Sequence, residues 1–244
     1  MKANILGVLI DKTNINEVLE KIDDFLADGK KHYIVTPNPE MVAEAQKNSE
    51  FKNILNQADI AIPDGFGLLL ASSWLRDRIK KRMTGVDLIW RLAENIEKTN
   101  YKLFLLGGKD GVAAEAAAKL KEKYPALKIV GAEEGMKDNE FYITNPKLVE
   151  KINKAKPDIL LVAFGHGKQE KWIYYNLHSL ETVKVAIGVG GTLDYISGKA
   201  KRAPNILRRL GLEWCWRLGK EPWRWKRIIT AIIIFPWLVL KNKK

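Results

Sequence analysis

The chain has 244 residues, 46% apolar and 29% charged, which is enough to bury one sizeable core and excludes a disordered or low-complexity protein. Cys215 is the only cysteine, which excludes an intramolecular disulfide and any multi-cysteine metal site and fits a reducing compartment inside the cell. The net charge of +12 is lopsided: from Lys199 onward thirteen Lys or Arg face only Glu213 and Glu221, leaving about +1 for residues 1–198.

In chain order, "MKANILGVLIDKTN" has a short apolar run with no small-residue cleavage site after it, and so reads as a first strand rather than a secretion signal. Six further β-rich runs follow: "HYIVT", "ADIAIP", "YKLFLLGG", "LKIVGA", "DILLVAFG" and "VKVAIGVGG". Segments of helical spacing separate most of them, a pattern that predicts βαβ units. The expected class is α/β: a Rossmann-like, mostly parallel sheet flanked by helices over residues 1–198, with a basic helical appendage over 199–244. Helix starts are legible at "TPNPEMVAEAQ", where Asn38 can cap, Pro39 suits the first helical position and Glu40 favours the positive end. "TNPKLVEKI" repeats the device with Asn145 and Pro146.

Ligands of open parallel sheets collect at the carboxyl ends of strands, which here predicts five loops: 36–40, 63–67, 107–111, 165–170 and 188–194. In the first, Thr36 and Asn38 stand at a strand end. In the second, "PDGFG", Asp64 follows a proline of fixed φ and precedes Gly65; it can act as a general base or simply bond its own backbone to form the turn. After that, "RMTGVDL" offers Arg82 for a diphosphate, and Thr84 or Asp87 as a helix cap. "LGGKDGV" suits either a phosphate or a tight turn, and it is not the G-x-G-x-x-G fingerprint of dinucleotide folds. "FGHGKQEKW" sets Gln169 and Glu170 on a glycine turn, where they contact a ligand or merely form a polar first helical turn. His166 reads as a solvated loop histidine. In "GVGGTLDY", Gly190 and Gly191 admit a nucleotide or a tight turn, and Asp194 is a ligand contact or a cap. No H-x-x-H or H-E-x-x-H spacing supports a protein metal site.

Taken in order, "TPNPEM", "PDGFG", "RMTGVDL", "LLGG", "GHGKQE", "GVGGTLDYISGKAKRAP" and "GLEWCWRLGKEPWRWKR" resemble the WecG/TagA/CpsF family of bacterial glycosyltransferases over roughly residues 5–230. The resemblance implies an inverting transfer from a UDP-sugar to a polyprenyl-diphosphate-linked sugar at the inner face of the cytoplasmic membrane, with no cofactor and no required metal. In the branch that assembles teichoic-acid linkage units, the donor is UDP-N-acetylmannosamine and the acceptor is N-acetylglucosaminyl-diphospho-undecaprenol. Other members use N-acetylmannosaminuronic acid or hexoses. On this pattern Asp64 falls at the general base, accepting the proton of the acceptor's 4-hydroxyl, while Thr36, Asn38 and Gln169 fall at pocket positions. Arg82, Arg217, Arg224 and Arg227 are the cations left to meet a UDP leaving group or the acceptor's diphosphate. The family's "G-x-P-K-Q-E" reads "GHGKQE" here, with Gly167 in place of proline.

The tail holds five of the eight tryptophans, and its apolar run from Ile228 to Leu240 is broken by Thr230 and Pro236. A spanning helix wants about 20 apolar residues, so the expectation is an interfacial anchor on an anionic membrane surface. A core-packing helix or a subunit contact giving a homo-oligomer is the alternative. Nucleic-acid binding is set aside because no recognition-helix or RNA-motif pattern accompanies the basic run. NAD or S-adenosylmethionine binding lacks its glycine fingerprint and its ribose-binding acid.

Overall fold

A computed structural model describes residues 1–135 and 145–242. Strands β3 (His32–Val35), β4 (Ile60–Ala61), β5 (Lys102–Gly107), β6 (Lys128–Glu133), β7 (Ile159–Ala163) and β8 (Val185–Gly188) form one six-stranded sheet in the order β4-β3-β8-β7-β5-β6. Every pairing within it is parallel. All six β-rich runs expected beyond the first thus become its strands. The amino-terminal run departs from expectation: Leu6 and Gly7 take φ of 55° and 81° and split it into β1 (Lys2–Ile5) and β2 (Val8–Asp11), an antiparallel hairpin outside the main sheet.

Side chains alternate between two buried clusters, as the pleat requires. Tyr33, Val35, Phe104, Leu106, Leu160 and Val162 face one, packed by α2 (Pro39–Ala45), α3 (Ser49–Gln57), α4 (Phe66–Trp74) and α8 (Lys168–Asn176). Ile34, Leu103, Leu105, Ile159 and Leu161 face the other, packed by α1 (Ile15–Ala27), α5 (Gly85–Ile96), α6 (Val112–Lys123) and α9 (Thr192–Ser197). The expected caps form: Asn38 Oδ1 accepts from Met41 N at 3.0 Å, and Asn145 Oδ1, ahead of α7 (Pro146–Ala155), from Leu148 N at 3.2 Å.

After Gly198, whose φ of 88° closes α9, the tail forms α10 (Asn205–Arg209), α11 (Glu213–Lys220), a 3₁₀ turn at Pro222–Arg224, and a helical run from α12 (Trp225–Ile229) through a π turn at Thr230–Ile234 to α13 (Phe235–Lys241). Pro236 lacks an amide hydrogen and clashes with the carbonyl four residues back, and the wider π turn just before it accommodates both defects. The tail is no detached anchor. Its last helix packs on α2 and α4, and Phe235 and Val239 are buried in the first cluster. The core-packing alternative therefore holds for one face of this run.

Truncating a buried phenylalanine typically costs about 3–5 kcal/mol. Phe235→Ala should therefore release the tail locally, making residues 199–242 the first segment cut in limited proteolysis while thermal melting of the sheet changes far less.

Candidate active site

The carboxyl ends of β3, β4, β5, β7 and β8 converge on a cavity of about 500 Å³, and all five expected loops contribute to it. The tail closes the remaining wall with Arg202, Glu213, Arg217, Glu221, Arg224 and Arg227. Close packing builds the floor. Thr36 Oγ1 donates to the Gly188 carbonyl at 2.9 Å, tying β3 to β8 where the strand order turns. A Cβ on Gly85 would come 2.5 Å from Thr192 Oγ1, so the first turns of α5 and α9 abut only because position 85 has no side chain.

Asp64 lies on the rim turn. Its backbone N–H donates to the Pro37 carbonyl at 2.9 Å, and Gly65 then takes a φ of 108°. The carboxylate makes no hydrogen bond among the described residues, so the turn-forming alternative is not realised. Burial pushes its pKa up to about 6. Arg82 and Arg217 pull it back, Glu213 pushes with burial, and Arg202 pulls back more weakly.

The arginines are held from both units. Arg82 Nη2 pairs with Glu213 Oε2 at 3.1 Å, and Arg217 Nη2 lies 3.7 Å from Glu213 Oε1, so one tail glutamate bridges a cation of the α/β unit and one of the tail. The Arg217 guanidinium also sits 5.3 Å from the centre of the Tyr195 ring. Arg224 pairs with Glu221 and faces Asp194, whose pKa burial raises against the pull of Arg224. Gly191, not Asp194, occupies the cap position of α9. The Nε groups of Arg202 and Arg217 are buried and have no hydrogen-bond partner among the described residues.

Gln169 lines the cavity, as expected, whereas Glu170 is not among its lining residues. Both are buried, and their polar atoms are engaged internally: Gln169 Oε1 accepts from Gly190 N at 2.8 Å, Gln169 Nε2 donates to Glu170 Oε1 at 2.7 Å, and Glu170 Oε2 accepts from Gly167 N at 2.7 Å. They shape the glycine turn at Gly190, which takes a φ of 54°, and a Cβ on Gly188 would collide with Gln169 Nε2 at 2.9 Å. Gly167 itself has a φ of 80°, a conformation closed to the family's proline. In "LGGKDGV", the Gly111 amide at the start of α6 is taken by Glu134 Oε1 at 2.7 Å, while Gly108 and Lys109 reach the cavity.

Two residues escaped the sequence reading. His166 is not merely solvated: its Nδ1 accepts from Arg227 Nη2 at 3.2 Å, which leaves the proton on Nε2 to donate to Glu44 Oε2 at 2.9 Å. Arg227 Nε also donates to Glu40 Oε2 at 2.7 Å, so the cluster fastens the tail to α2. Arg202 pairs with Asp87 Oδ1 at 2.8 Å and donates to the Oγ1 of Thr84, the cap of α5, at 3.1 Å. Its only signal was membership of the run "GKAKRAP", and nothing in spacing says that this run folds onto the start of α5.

Over residues 3–244 the chain matches the family described as Glycosyl transferase WecG/TagA/CpsF family. It is 35% identical, over 95% of its length and 91% of the relative's, to the N-acetylglucosaminyldiphosphoundecaprenol N-acetyl-beta-D-mannosaminyltransferase of Bacillus subtilis (strain 168). Identity is 34% to the protein of the same name from Staphylococcus aureus (strain MRSA252), covering 100% of this chain and 94% of that one. It is also 34% to the one from Bacillus spizizenii (strain ATCC 23059 / NRRL B-14472 / W23), covering 90% and 83%.

An acid whose folded pKa lies above its ordinary value of 3.8 costs stability as pH climbs from that value to about 6, and the cost stays constant above. An amide escapes it. Asp64→Asn should therefore melt higher than the parent at neutral pH, by up to about 3 kcal/mol, and the gain should vanish below about pH 4.

Proposed function

The chain belongs to the glycosyl transferase WecG/TagA/CpsF family, and from that premise we propose that it transfers N-acetylmannosamine from a UDP-linked donor to the 4-hydroxyl of diphosphopolyprenol-linked N-acetylglucosamine at a membrane surface. The relatives' name supplies the acceptor and the β configuration of the product. UDP-hexosamines are α-linked, so a β product means a single inverting displacement. The acceptor oxygen attacks C1, the bond from C1 to the phosphate oxygen breaks, and the hydroxyl proton passes to a base.

The observation that carries this reading is Asp64: a cavity-facing carboxylate with no hydrogen bond of its own, faced by arginines from both units. Its raised pKa makes it more basic than an ordinary aspartate and still mainly ionised at neutral pH, as a general base requires. The leaving UDP gains negative charge. Arg202, Arg217, Arg224 and Arg227 line the cavity and supply the positive charge that a diphosphate calls for. Thr36 and Asn38 also line the cavity, Asn38 with its carbonyl oxygen occupied by the helix cap. In this reading Gln169 and Glu170 act by holding the Gly190 turn.

Among the described residues no helix is long and apolar enough to cross a membrane. The run 225–241 is apolar on both sides: Ile228, Phe235 and Val239 pack inward, while Trp225, Ile233, Trp237 and Leu240 are 50%, 59%, 56% and 55% exposed. Lys226 and Lys241 lie 5.5 and 5.0 Å from the Trp225 and Trp237 ring centres, the composition of a helix lying in a headgroup layer. This supports the tail's outer face as the membrane contact, with residues 1–198 as the catalytic unit on its inner face.

The test is incubation of the full chain with a panel of UDP-sugars and a short-chain polyprenyl-diphosphate-N-acetylglucosamine, with chelator present and absent. Transfer from UDP-N-acetylmannosamine in both conditions is expected; no transfer from any UDP-sugar, or loss with chelator and recovery on adding a divalent ion, overturns the reading. Asp64→Asn should lower kcat by about 100-fold or more. The parent's kcat/KM should rise with pH through about 6 and then level, and Arg217→Gln, by removing a cation that favours the carboxylate, should move that limb to higher pH.

A further inference from the structure

We propose that the α/β unit carries its own contact with an anionic phospholipid surface, formed by the outer face of α4 and the loop 75–82 that follows it. The inference rests on the membrane-surface part of the reading above and adds a second, sequence-distant element to it.

Helix α4 is two-faced in an unusual way. Leu68, Ala71 and Ser72 are buried, yet the opposite line is not polar: Phe66, Leu70 and Trp74 recur every fourth residue and are 37%, 59% and 50% exposed. At 1.5 Å per residue they make an apolar ridge about 12 Å long. It starts two residues beyond Asp64, at the cavity rim. An exposed apolar line of this kind on an otherwise well-packed helix marks a contact surface.

Cations follow the ridge, and the fold holds them outward. The chain leaves α4 with Arg76 in the left-handed region at a φ of 59°, where glycine is usual. Asp77 N donates to the Ser72 carbonyl at 2.9 Å, while Ser72 Oγ accepts from Ile79 N at 2.9 Å and donates to the Leu69 carbonyl at 2.8 Å. With Ser72 and Ile79 buried, Arg76, Arg78, Lys80 and Lys81 are left exposed on a pinned loop. The one acid of the loop does not neutralise them: Asp77 is engaged by Lys12 and by Asn4 N at 3.0 Å, on the hairpin side. Arg82 turns inward to Glu213.

The surface is continuous with the tail. Gly211, in the turn between α10 and α11, sits so close on Phe66 that a Cβ there would lie 2.6 Å from the ring, and α13 packs along α4. A bilayer of anionic lipids fits an aromatic and aliphatic ridge beside lysines and arginines that no acid pairs with among the described residues. A second copy of the chain fits less well, because a two-fold contact through this face would bring its cations toward their own counterparts.

The test uses the full-length chain with two paired variants, Leu70→Glu with Trp74→Glu, and Lys80→Glu with Lys81→Glu. None of the four residues lines the cavity. Co-sedimentation with mixed phosphatidylglycerol–phosphatidylcholine vesicles should fall by about tenfold or more for each pair. On pure phosphatidylcholine only the ridge pair should matter. Turnover of a short-chain soluble acceptor should stay at the parent's level, while turnover of a long-chain acceptor embedded in vesicles should drop with vesicle binding. Unchanged vesicle binding by either pair overturns the proposal, as does a change of oligomeric state in sedimentation velocity with vesicle binding intact. If the parent turns over neither acceptor, the glycosyl-transfer reading falls, while the vesicle measurements still decide the surface.

Discussion

A carboxylate withdrawn from water is unstable unless cations stand near it, and the cations that face Asp64 come from two distant stretches of sequence. Arg82 belongs to the α/β unit, whereas Arg202 and Arg217 belong to the tail. Without the tail the acid would keep only one of these three partners and would lie more open to solvent. The position of residues 199–242 against the sheet is therefore part of the chemistry of residue 64. The same dependence runs backward. Four arginines lining one cavity would repel one another, and Glu213, Glu221, Glu40 and Asp87 each pair with one of them. None of these glutamates bonds to Asp64, so the acid keeps both oxygens unengaged.

That arrangement explains why polar side chains at the cavity divide into two kinds. Thr36, Gln169 and Glu170 are buried, and each satisfies a backbone group of a neighbouring strand end or turn. An unmade bond at such a place would cost about 1–3 kcal/mol, so these residues fix the geometry of the glycine turns. Asp64 is the exception: among the described residues its carboxylate makes no hydrogen bond, and in the proposed reading that leaves it open to an incoming hydroxyl. The glycines follow from the same packing: position 188 has no room for a methyl group against Gln169, and position 190 needs its positive φ.

Most of the fold was legible because its signals are local. A capping asparagine followed by proline, and runs of β-branched residues ending in glycine, fix elements within a few residues, and all five rim loops followed from strand ends alone. The hairpin was missed because "ILGVLI" has no polar residue to break it, and only the left-handed pair Leu6–Gly7 divides it. What stayed hidden was long-range. His166 meets Arg227 across 61 residues and Arg202 meets Asp87 across 115, and no periodicity encodes such pairs. Gln169 was placed at the cavity from its turn, but its neighbour Glu170 and the amide of Gly190, which take up its side chain, become visible only when β7 and β8 lie side by side.

Helix α4 joins these themes. Its first residues follow directly on the turn that holds Asp64, its buried face completes the core beneath the tail, and its outer face is apolar. The carboxylate therefore stands just ahead of the first turn of a nine-residue helix that carries the exposed ridge along its whole length. In the proposed reading, with a polar sugar, a charged diphosphate and a hydrocarbon tail on one substrate, such a helix would set the distance between the reacting hydroxyl and the lipid layer. Flexibility in the tail alone cannot change that distance, because Phe235 beside Gly67 and Gly211 against Phe66 seat the tail on the same helix.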